Sequence, residues 1–330
     1  MVSMKSFYKD KKILITGGAG YIGRLLIEKL IKFEPKVIRI FDVHENGLFD
    51  LRQKYRDETG CLRFLLGDVR NLTRLQYALN GIDIVFHTAS YKHVEECEYN
   101  PLDAIETNIT GTANVIQAAI EKKVKKVVYT SSDKAANPSN TMGTTKLLAE
   151  KLMIAGNEYG GRTTIFACCR FGNVAGSTGS VIPLFKKQIL ENKKITITDP
   201  EMTRFIISKD KAIELVLLSG IMARGGEIFI FKMPPLNIND LAEAMIEKYG
   251  KASKEIIGRR AGEKMYEEIM TEEEMSRAYE GEDIYVVSPQ ITDPDLESLN
   301  GLKKVKSIKN SCDMKLLSKN EILKILSDLE

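Results

Sequence analysis

Short apolar runs alternate with longer amphipathic stretches over the first half of the chain. The runs lie between Lys11 and about Arg170, and they read KKILITG, KVIRIFD, CLRFLLGD, IDIVFHTAS, VKKVVYTSS and TTIFACCRF. β-branched runs of this length, separated by helical patterns, predict βαβ units. Several runs are apolar almost throughout, as expected of parallel strands that helices cover on both faces. With right-handed crossovers, the pattern predicts an α/β fold with a doubly wound parallel sheet.

The pattern becomes looser after Phe171. Strands and helices are still indicated by VIPLFKKQILENK, ITITD, SKDKAIELVLLSG, GEIFIFKM, NINDLAEAMIEKYG, EKMYEEIMTEEEM and DIYVVSP, but more loops separate them. We therefore expect a main domain over residues 1–172 and a smaller C-terminal lobe over most of residues 173–330. One later element, near residues 208–220, is expected to return to the main sheet.

Composition and charge exclude several classes of function. The 330 residues carry 48 Lys and Arg against 45 Asp and Glu, and these charges are interspersed, so neither nucleic acid nor a membrane is an expected partner. The five cysteines form no CxxC pair and have no histidine at zinc-like spacing, so no metal site is implied. No apolar run approaches the roughly eighteen residues of a membrane span. A protein of the reducing cytoplasm is expected.

A glycine-rich turn follows the first predicted strand and opens a helix. It reads TGGAGYIG and places Gly17, Gly20 and Gly23 at intervals of three. Glycines there permit a tight turn, close approach of the backbone to a pyrophosphate and close packing of the helix on the strand. A glycine triplet alone is weak evidence, but Asp42 ends the next predicted strand. Together these features predict a dinucleotide site.

Asp42 also bears on the type of dinucleotide. A carboxylate accepts hydrogen bonds from both ribose hydroxyls of NAD and repels the 2′-phosphate of NADP. No arginine follows Asp42 in FDVHEN, although Arg39 precedes it, so NAD is preferred over NADP. Asp68, which ends the third strand in LLGDVRN, is a candidate contact to the adenine together with Val69. The alternative role for Asp68 is that of a helix N-cap.

Four polar residues end the fifth predicted strand. They are Ser131, Ser132, Asp133 and Lys134, and Lys146 follows at the start of another helix. Folds of this kind bind ligands at the carboxyl ends of parallel strands. A solvated strand end explains one or two polar residues but not an Asp-Lys pair followed by a second lysine. The segment is therefore predicted to be functional.

With these residues in view, the chain resembles the extended short-chain dehydrogenase/reductase superfamily, and within it the UDP-N-acetylglucosamine 4,6-dehydratases. The matching stretches span about residues 11–290 and read TGGAGYIG, HTASYKHVEECEYNP, ETNITGT, SSDKAANPSNTMGTTK, RFGNVAGSTGSVIPLF, ITITDPEMTRFI, GGEIFIFKM and GRRAGEKMYEE. TSSDKAANP and TDPEMTRF favour this branch over the hexose 4-epimerases. The resemblance implies that residues 1–172 form a Rossmann domain that binds NAD and that residues 173–330 mainly bind a UDP-sugar.

The reaction implied by the resemblance is an internal redox dehydration. Hydride passes from C4 of the sugar to NAD, water is eliminated across C5 and C6, and hydride returns to C6. By resemblance, Asp133 is the acid for the 6-hydroxyl and Lys134 is the base at C5. Ser132 orients the 4-hydroxyl, and Lys146 holds the nicotinamide ribose. Asn108, in ETNITGT, matches a supporting asparagine. The implied cofactor contacts are Gly17, Gly20, Tyr21, Ile22, Gly23, Asp42, Asp68, Val69, Ala89 and Lys146.

Met142 is the departure from the superfamily pattern, in which Tyr-x-x-x-Lys supplies a tyrosine base for the hydroxyl that is oxidised. Methionine has no proton to exchange. Either the chain has lost catalysis, or it belongs to a branch that carries Met-x-x-x-Lys and works without the tyrosine. The second hypothesis is favoured because the other polar residues of the segment remain. Ser132, through a water toward Lys146, is then expected to carry the proton of the 4-hydroxyl.

A UDP-sugar needs cations for its pyrophosphate and polar contacts for its uridine. By resemblance, Arg204 and one of Arg259 and Arg260 are the phosphate cations. Asn173 is placed near the pyrophosphate, Glu263 at the uridine ribose and Lys92 at the sugar. Surface ion pairs are the alternative role for the arginines.

Two other functions stay open from the sequence. One is a UDP-hexose 4-epimerase or 4-keto reductase of the same superfamily, against which Met142 counts, and the other is a catalytically silent dinucleotide-binding protein. Within the dehydratase hypothesis, the methionine branch favours retention of configuration at C5. The resemblance also implies a homo-oligomer.

Overall fold

The alternation of apolar runs and amphipathic segments is present in the computed structural model, which describes residues 3–56, 60–290, 301–307 and 310–329. The strands are β1 (Lys12–Thr16), β2 (Val37–Asp42), β3 (Leu62–Leu66), β4 (Ile84–His87), β5 (Lys126–Ser132), β6 (Ile165–Phe171), β7 (Asn173–Val174), β8 (Ile195–Ile197), β9 (Thr203–Ile207), β10 (Ile228–Phe231), β11 (Pro235–Asn237), β12 (Lys254–Ile256), β13 (Ala278–Glu280), β14 (Ile284–Val287) and β15 (Lys303–Lys304).

The α-helices are α1 (Met4–Tyr8), α2 (Tyr21–Ile31), α3 (Glu45–Lys54), α4 (Leu72–Ala78), α5 (Val94–Tyr99), α6 (Pro101–Ile105), α7 (Gly111–Glu121), α8 (Thr141–Tyr159), α9 (Val181–Leu190), α10 (Lys209–Met222), α11 (Ile238–Tyr249), α12 (Glu272–Ser276) and α13 (Lys319–Ser327). A π-helical turn (Glu106–Thr110) joins α6 to α7, and a 3₁₀ turn (Asp133–Ala135) follows β5.

The main sheet has the strand order β15-β13-β14-β10-β6-β5-β4-β1-β2-β3. Neighbouring strands from β3 to β10 are parallel, and β14, β13 and β15 continue the sheet with antiparallel pairing. The parallel part follows the order in which doubly wound dinucleotide folds reverse direction between β1 and β4. The predicted doubly wound parallel sheet is thus confirmed, and the carboxyl ends of β1, β4 and β5 meet at that reversal.

The main sheet extends past residue 172, because β10 pairs with β6 and β14 pairs with β10. Helix α10 packs against β5 and β6, and Tyr8 Oη donates a hydrogen bond to the Leu217 carbonyl at 2.6 Å. The element expected near residues 208–220 therefore lies on the main sheet. The division of the chain into two domains at residue 172 stays a prediction.

A second, smaller hydrophobic core lies outside the main sheet. Its buried side chains come mainly from α9, α11 and α13 and from the short strands between them, and they include Phe185, Ile195, Leu241, Met245 and Leu326. Helix α13, near the C-terminal end of the described chain, belongs to this core and packs on α11. Among the described helices, none is long and apolar enough to cross a membrane.

Arg170 fixes α8 to the rest of the fold. Its fully buried guanidinium donates to Glu150, on α8, and to Glu274, on α12, as well as to the Ile269 carbonyl. A buried arginine requires such complete pairing, because an uncompensated charge in the interior is strongly destabilising. The ion triad therefore holds the helix that carries Met142 and Lys146.

Candidate active site

The turn between β1 and α2 is shaped by its glycines. Gly17 has φ +66°, and a Cβ atom there would lie 2.7 Å from the backbone nitrogen of Ala89. A Cβ atom at Gly23 would lie 2.5 Å from the Gly17 carbonyl, so only glycine lets α2 pack on the turn. Helix α2 begins after Gly20 without a side-chain cap, which leaves its first N–H groups available to an anion.

Asp42, at the end of β2, accepts hydrogen bonds from the backbone nitrogens of Ala19 and His44, both at 2.8 Å. Its carboxylate therefore ties the glycine turn to the end of β2. Arg39 points elsewhere, since its guanidinium donates to the carbonyls of Ala78 and Asn80 at 2.7 Å. The Arg39 guanidinium therefore does not lie at the glycine turn, although Arg39 is only three residues before Asp42.

A cavity of about 170 Å³ lies beside Asp42, and its lining includes Asp68, Val69, Ala89 and Tyr91. Asp68 forms an ion pair with Arg70 at 2.6 Å. The side-chain hydrogen bond from Arg70 lowers the pKa of Asp68, although partial burial opposes it. The N-cap role considered for Asp68 is wrong, because the side chain that caps α4 belongs to Asn71.

The largest of the cavities described is a cleft of about 750 Å³ at the carboxyl ends of β1, β4 and β5. It brings together most of the residues singled out from the sequence. Its lining includes Gly17, Gly20, Tyr21, Ile22, Lys92, Ser132, Lys134, Met142, Lys146 and Asn173. Gly23, Asp42, Asp68, Val69 and Ala89 lie outside the lining of this cleft, in the glycine turn and the neighbouring cavity.

Ser132, Asp133 and Lys134 form one hydrogen-bonded group at the end of β5. The Ser132 hydroxyl donates to Asp133 Oδ1 at 2.8 Å, and Lys134 Nζ donates to the same oxygen at 3.1 Å. Asp133 is fully buried, and its Oδ2 has no hydrogen-bond partner among the described residues. Lys134 Nζ also contacts Asn173 Oδ1 at 3.3 Å and Glu267 Oε1 at 3.2 Å.

The charge of Lys134 follows from these neighbours. Burial by itself lowers the pKa of Lys134, but the carboxylates of Asp133 and Glu267 outweigh that effect and raise it above the ordinary value. A raised pKa favours the ammonium form of Lys134 at neutral pH. Its direct hydrogen bond to Asp133 offers a path for one proton to move between the two side chains.

Lys146, unlike Lys134, contacts neutral groups. Its Nζ donates to Ser90 Oγ at 2.7 Å and to the Thr130 carbonyl at 3.0 Å, and it lies 4.8 Å from the centre of the Tyr129 ring. Burial lowers the pKa of Lys146 to about 8, and the attraction of Glu150 offsets only part of this effect. No carboxylate touches Lys146 within hydrogen-bonding distance among the described residues, so its charge is lost at much lower pH than that of Lys134.

Met142 lies one turn before Lys146 on α8 and lines the cleft. The side chain is 2 % exposed and packs in a small apolar cluster with Cys97 and Ala104. The next residue, Gly143, is required by close packing, because a Cβ atom there would overlap the Lys134 carbonyl. The start of α8 is thus pressed against the turn that carries Asp133 and Lys134.

Asn108 lies in the π-helical turn between α6 and α7 and is fully buried. Its amide accepts from the Tyr91 nitrogen at 2.7 Å and donates to the Tyr91 carbonyl and to Thr145 Oγ1. It therefore joins the loop after β4 to α8, one residue before Lys146. Single π-turns of this kind are frequent at functional sites.

A cavity of about 210 Å³ adjoins the cleft and contains most of the predicted substrate residues. Its lining includes Lys134, Asn173, Arg204, Arg260, Glu263 and Glu267. The Arg204 guanidinium donates to the carbonyls of Thr203 and Lys264, and Nε lies 3.6 Å from Glu267. Arg260 is exposed and pairs with Glu95 at 3.4 Å, whereas Arg259 is outside the described lining.

The loop after β4 and the loop after β7 meet across the cleft. Lys92 Nζ donates to the Thr178 carbonyl at 2.6 Å, and burial lowers the pKa of Lys92. Tyr21 Oη donates to the Ala175 carbonyl at 2.9 Å. Both hydrogen bonds connect the main sheet side of the cleft to the segment that leads into the smaller core.

Sequence reasoning did not single out Glu267, Ser90 or Gly143. Glu267 lies within the matching stretch GRRAGEKMYEE, but nothing in the spacing separates it from its neighbour Glu268. Ser90 follows β4 at the same sheet edge as Ser132, which is a signal that could have identified it. Gly143 follows Met142 directly, and its role depends on a close approach that no local pattern reveals.

Comparison with known proteins shows the family of this chain. A family model described as polysaccharide biosynthesis protein matches residues 13–289. A UDP-N-acetylglucosamine 4,6-dehydratase (inverting) of Campylobacter jejuni is 40% identical, over 98% of this chain and 99% of its own. The chain belongs to this polysaccharide biosynthesis family, within the extended short-chain dehydrogenases/reductases.

Relatives in the polysaccharide biosynthesis family carry different names. A protein of Methanocaldococcus jannaschii described as an uncharacterized membrane protein is 48% identical over 99% of this chain and 98% of its own. A protein of Rickettsia felis named UDP-glucose 4-epimerase is 39% identical over 98% of this chain and 97% of its own. The family is therefore established, while the names of its members do not agree on one reaction.

Solved structures support the fold. The X-ray structure of Pen from Bacillus thuringiensis matches with a TM-score of 0.93 and 43% identity, covering 98% of this chain and 99% of that one. DesIV, a dTDP-glucose 4,6-dehydratase from Streptomyces venezuelae solved with NAD, matches with a TM-score of 0.71 and 22% identity over 77% of this chain and 86% of that one. At that identity the second match shows the fold alone.

Proposed function

We propose that this protein is a UDP-N-acetylglucosamine 4,6-dehydratase that uses NAD and releases a UDP-2-acetamido-2,6-dideoxy-4-hexulose. The observation that carries the proposal is that a serine and two lysines line one cleft with an aspartate directly behind them. Ser132, Lys134 and Lys146 line the cleft, and the fully buried Asp133 is hydrogen-bonded to Ser132 and Lys134. The Campylobacter jejuni relatives that bear this name are 40% and 41% identical to the chain.

The glycine turn and the cavity beside it fit NAD. The uncapped start of α2 after Gly20 suits the diphosphate. Gly17 and Gly23 have no side chains, so the turn packs closely against the backbone of Ala89 and against the start of α2. The remaining proposed contacts are Tyr21, Ile22, Asp42, Asp68, Val69, Ala89 and Lys146. When bound, NAD would supply hydride transfer: it would take a hydride from C4 of the sugar and later return it to C6. DesIV, which shares the fold, was solved with NAD.

NAD is proposed rather than NADP because of Asp42 and Arg39. Asp42 borders the cavity proposed for the adenosine, and a carboxylate there disfavours a 2′-phosphate. The guanidinium of Arg39 is engaged by two backbone carbonyls and does not serve as a phosphate cation.

Oxidation of the sugar at C4 requires removal of the 4-hydroxyl proton. We assign Ser132 to orient this hydroxyl and to pass its proton to a water beside Lys146, from which the proton leaves to solvent, because a charged Lys146 has no lone pair to accept it. The positive charge of Lys146 favours an alkoxide at C4. The Lys146 side chain is also assigned to hold the nicotinamide ribose. Met142 contributes an apolar wall and no proton transfer.

Elimination of water uses Asp133 and Lys134. A 4-keto group acidifies the C5 proton, which Lys134 removes, while Asp133 protonates the departing 6-hydroxyl. These roles require neutral forms of both side chains. One proton that passes from Lys134 to Asp133 along their 3.1 Å hydrogen bond produces both neutral forms at once.

The cavity next to the cleft is proposed to bind the UDP moiety. Arg260 is the more available phosphate cation, because its partner Glu95 is an exposed side chain. Arg204 is proposed to contribute its positive charge to phosphate binding, with its Nη1 and Nη2 groups already bound to backbone carbonyls. Glu263 is assigned to the uridine ribose, Asn173 to the pyrophosphate region and Lys92 to the sugar. Arg259 stays a prediction from the sequence.

Retention at C5 stays the predicted stereochemical outcome. A single base that removes the C5 proton and returns it from the same side gives retention, whereas inversion needs a second donor on the other face. Met142 offers no such proton. The named relatives in Campylobacter jejuni are described as inverting, so proton coupling constants of the product decide the point for this chain.

Incubation of the purified protein with UDP-N-acetylglucosamine tests the function directly. A product that is lighter by one water supports dehydration. Unchanged mass with a new configuration at C4 supports the 4-epimerase activity in the names of the Rickettsia relatives, and an unchanged substrate supports a silent dinucleotide-binding protein. A 4-keto reductase would instead consume a 4-keto sugar together with reduced cofactor.

A further inference from the structure

Two carboxylates hold the ammonium of Lys134. Asp133 Oδ1 lies 3.1 Å from Lys134 Nζ, and Glu267 Oε1 lies 3.2 Å from it. Asp133 is the preceding residue in the chain, whereas Glu267 reaches the site from the segment between β12 and α12. Both carboxylates are buried, with Asp133 0 % and Glu267 1 % exposed. Glu267 is thus a built part of the site and not a surface partner.

Glu267 has an oxygen that the ion pair does not use. Its Oε2 is buried and has no hydrogen-bond partner among the described residues, and the same holds for Asp133 Oδ2. Buried polar atoms are almost always paired, and those that are not need an explanation. Glu267 and Lys134 line the same cavity and Lys134 also lines the cleft, so Glu267 lies beside the lysine to which proton transfer is assigned.

The backbone of Glu267 is fixed by the C-terminal part of the chain. Its nitrogen donates to Ser311 Oγ at 2.9 Å, and the Ser311 nitrogen donates to the Glu267 carbonyl at 3.0 Å. The Ser311 hydroxyl is also 2.7 Å from Thr203 Oγ1, and Ser311 is fully buried. These contacts hold the position of the carboxylate without using the carboxylate itself.

We propose that Glu267 is a positioning residue for Lys134, which fixes the ammonium beside Asp133 and stabilises the positive charge that Lys134 gains when it takes a proton. The proposal rests on the proposed dehydratase function for the identity of that proton. The charged groups that act on Lys134 are Asp133 and Glu267, which favour its positive charge, and Arg204, which opposes it.

The proton balance agrees with this role. During elimination, Lys134 takes the C5 proton and Asp133 gives its proton to the 6-hydroxyl, which leaves as water. The pair then consists of a lysine cation and an aspartate anion, the charges of the ion pair that the two residues form at 3.1 Å. Because the resting pair and the pair after proton removal carry the same charges, the contribution of Glu267 to the rate is the position in which it holds Lys134 Nζ beside Asp133.

The test compares Glu267→Gln with Glu267→Asp and with the matched control Glu268→Gln. Glu268 is the adjacent residue, but it pairs with Lys264 and Asn137 and does not touch Lys134. The first measurement is an NMR titration of protein labelled with ¹³C at lysine Cε, with the Lys134 signal assigned by Lys134→Arg. We expect Glu267→Gln to lower the midpoint by about one to three pH units, the effect of removing a nearby opposite charge. Glu267→Asp should shift it less, and Glu268→Gln should leave it unchanged.

The second measurement is steady-state kinetics with UDP-N-acetylglucosamine. We expect Glu267→Gln to lower kcat about tenfold to a hundredfold with little change in KM, and Glu267→Asp to recover part of the loss. An unmoved Lys134 midpoint in Glu267→Gln overturns the proposal, and so does a change confined to KM, which would make Glu267 a substrate ligand. If Glu267→Gln does not fold, Ser311→Ala, which keeps the carboxylate but loosens its backbone, must shift the midpoint in the same direction by a smaller amount.

The two proposals fail in different ways. If the wild-type protein does not dehydrate the sugar nucleotide, the proposed function is wrong, and the titration alone still decides whether Glu267 controls the charge of Lys134. If dehydration occurs and the midpoint does not move, the function stands and the role of Glu267 is wrong.

Discussion

Two lysines of one cleft have opposite surroundings. Lys134, in the turn after β5, contacts two buried carboxylates, and its pKa is raised. Lys146, on α8, contacts a hydroxyl and a backbone carbonyl, and burial lowers its pKa to about 8. Burial therefore does not determine the charge of a lysine, because the partners can reverse its effect. In the proposed mechanism Lys134 must therefore pass its proton to Asp133 before it acts as a base, whereas the charge of Lys146 depends on pH near 8.

The largest expected effect is that of Lys134→Met. Without a base at C5, dehydration should fall by about 10³-fold or more, within the range of general acid–base catalysis. Oxidation at C4 does not use Lys134, so enzyme-bound reduced cofactor should accumulate, and its absorbance measures this. Lys125→Met is the control, since Lys125 is exposed at the opposite end of β5 and pairs with Asp83. Loss of both dehydration and bound reduced cofactor would contradict the division of work between the lysines.

Lys146→Met should block the reaction earlier. We expect turnover to fall by about 10²-fold, because the charge that favours the C4 alkoxide is removed. In contrast to Lys134→Met, no reduced cofactor should accumulate with the sugar nucleotide. A Lys146 variant that accumulates reduced cofactor at the wild-type rate would show that this lysine acts after C4 oxidation.

Ser132→Ala tests the link between the two lysine sites, because in the proposed mechanism Ser132 acts on the 4-hydroxyl and also contacts Asp133. Its hydroxyl donates to Asp133 at 2.8 Å, and it is assigned to the 4-hydroxyl. We expect turnover to fall about tenfold to a hundredfold, with slower appearance of reduced cofactor in a single turnover. Wild-type turnover in this variant would remove Ser132 from the path of the 4-hydroxyl proton.

The contrast between the lysines could be predicted only in part from the sequence. The fold, the glycine turn and the polar residues after β5 follow local rules of strand, turn and helix, and they were located correctly. The role of Glu267 could not be predicted in this way, because Glu267 reaches Lys134 from a distant segment. Its backbone is held by Ser311, which lies farther still along the chain. The opposite charge environments of the lysines therefore depend on tertiary contacts that no local pattern encodes.

The pH dependence of turnover offers a milder test. Lys146 is charged below pH about 8 and neutral above it, so a step that needs its charge should slow as the pH rises through that value. The loss should approach about tenfold for each further pH unit. Lys134 does not account for this decline, because its pKa is raised and its titration lies at higher pH. A rate that is constant from pH 7 to pH 9.5 would show that the charge of Lys146 is not required.

The smallest effect is expected for Met142→Leu. Met142 is buried against Cys97 and Ala104, and a swap that conserves volume usually costs less than about 1.5 kcal/mol of unfolding free energy. Turnover should stay close to that of the wild type, since leucine also offers no proton. Met142→Ala is the control for packing and should cost about 2–5 kcal/mol in a denaturant titration. If Met142→Leu instead slowed turnover as much as Ser132→Ala while the protein stayed stable, the thioether would take part in the chemistry, and the helix region would contain a second functional group besides Lys146.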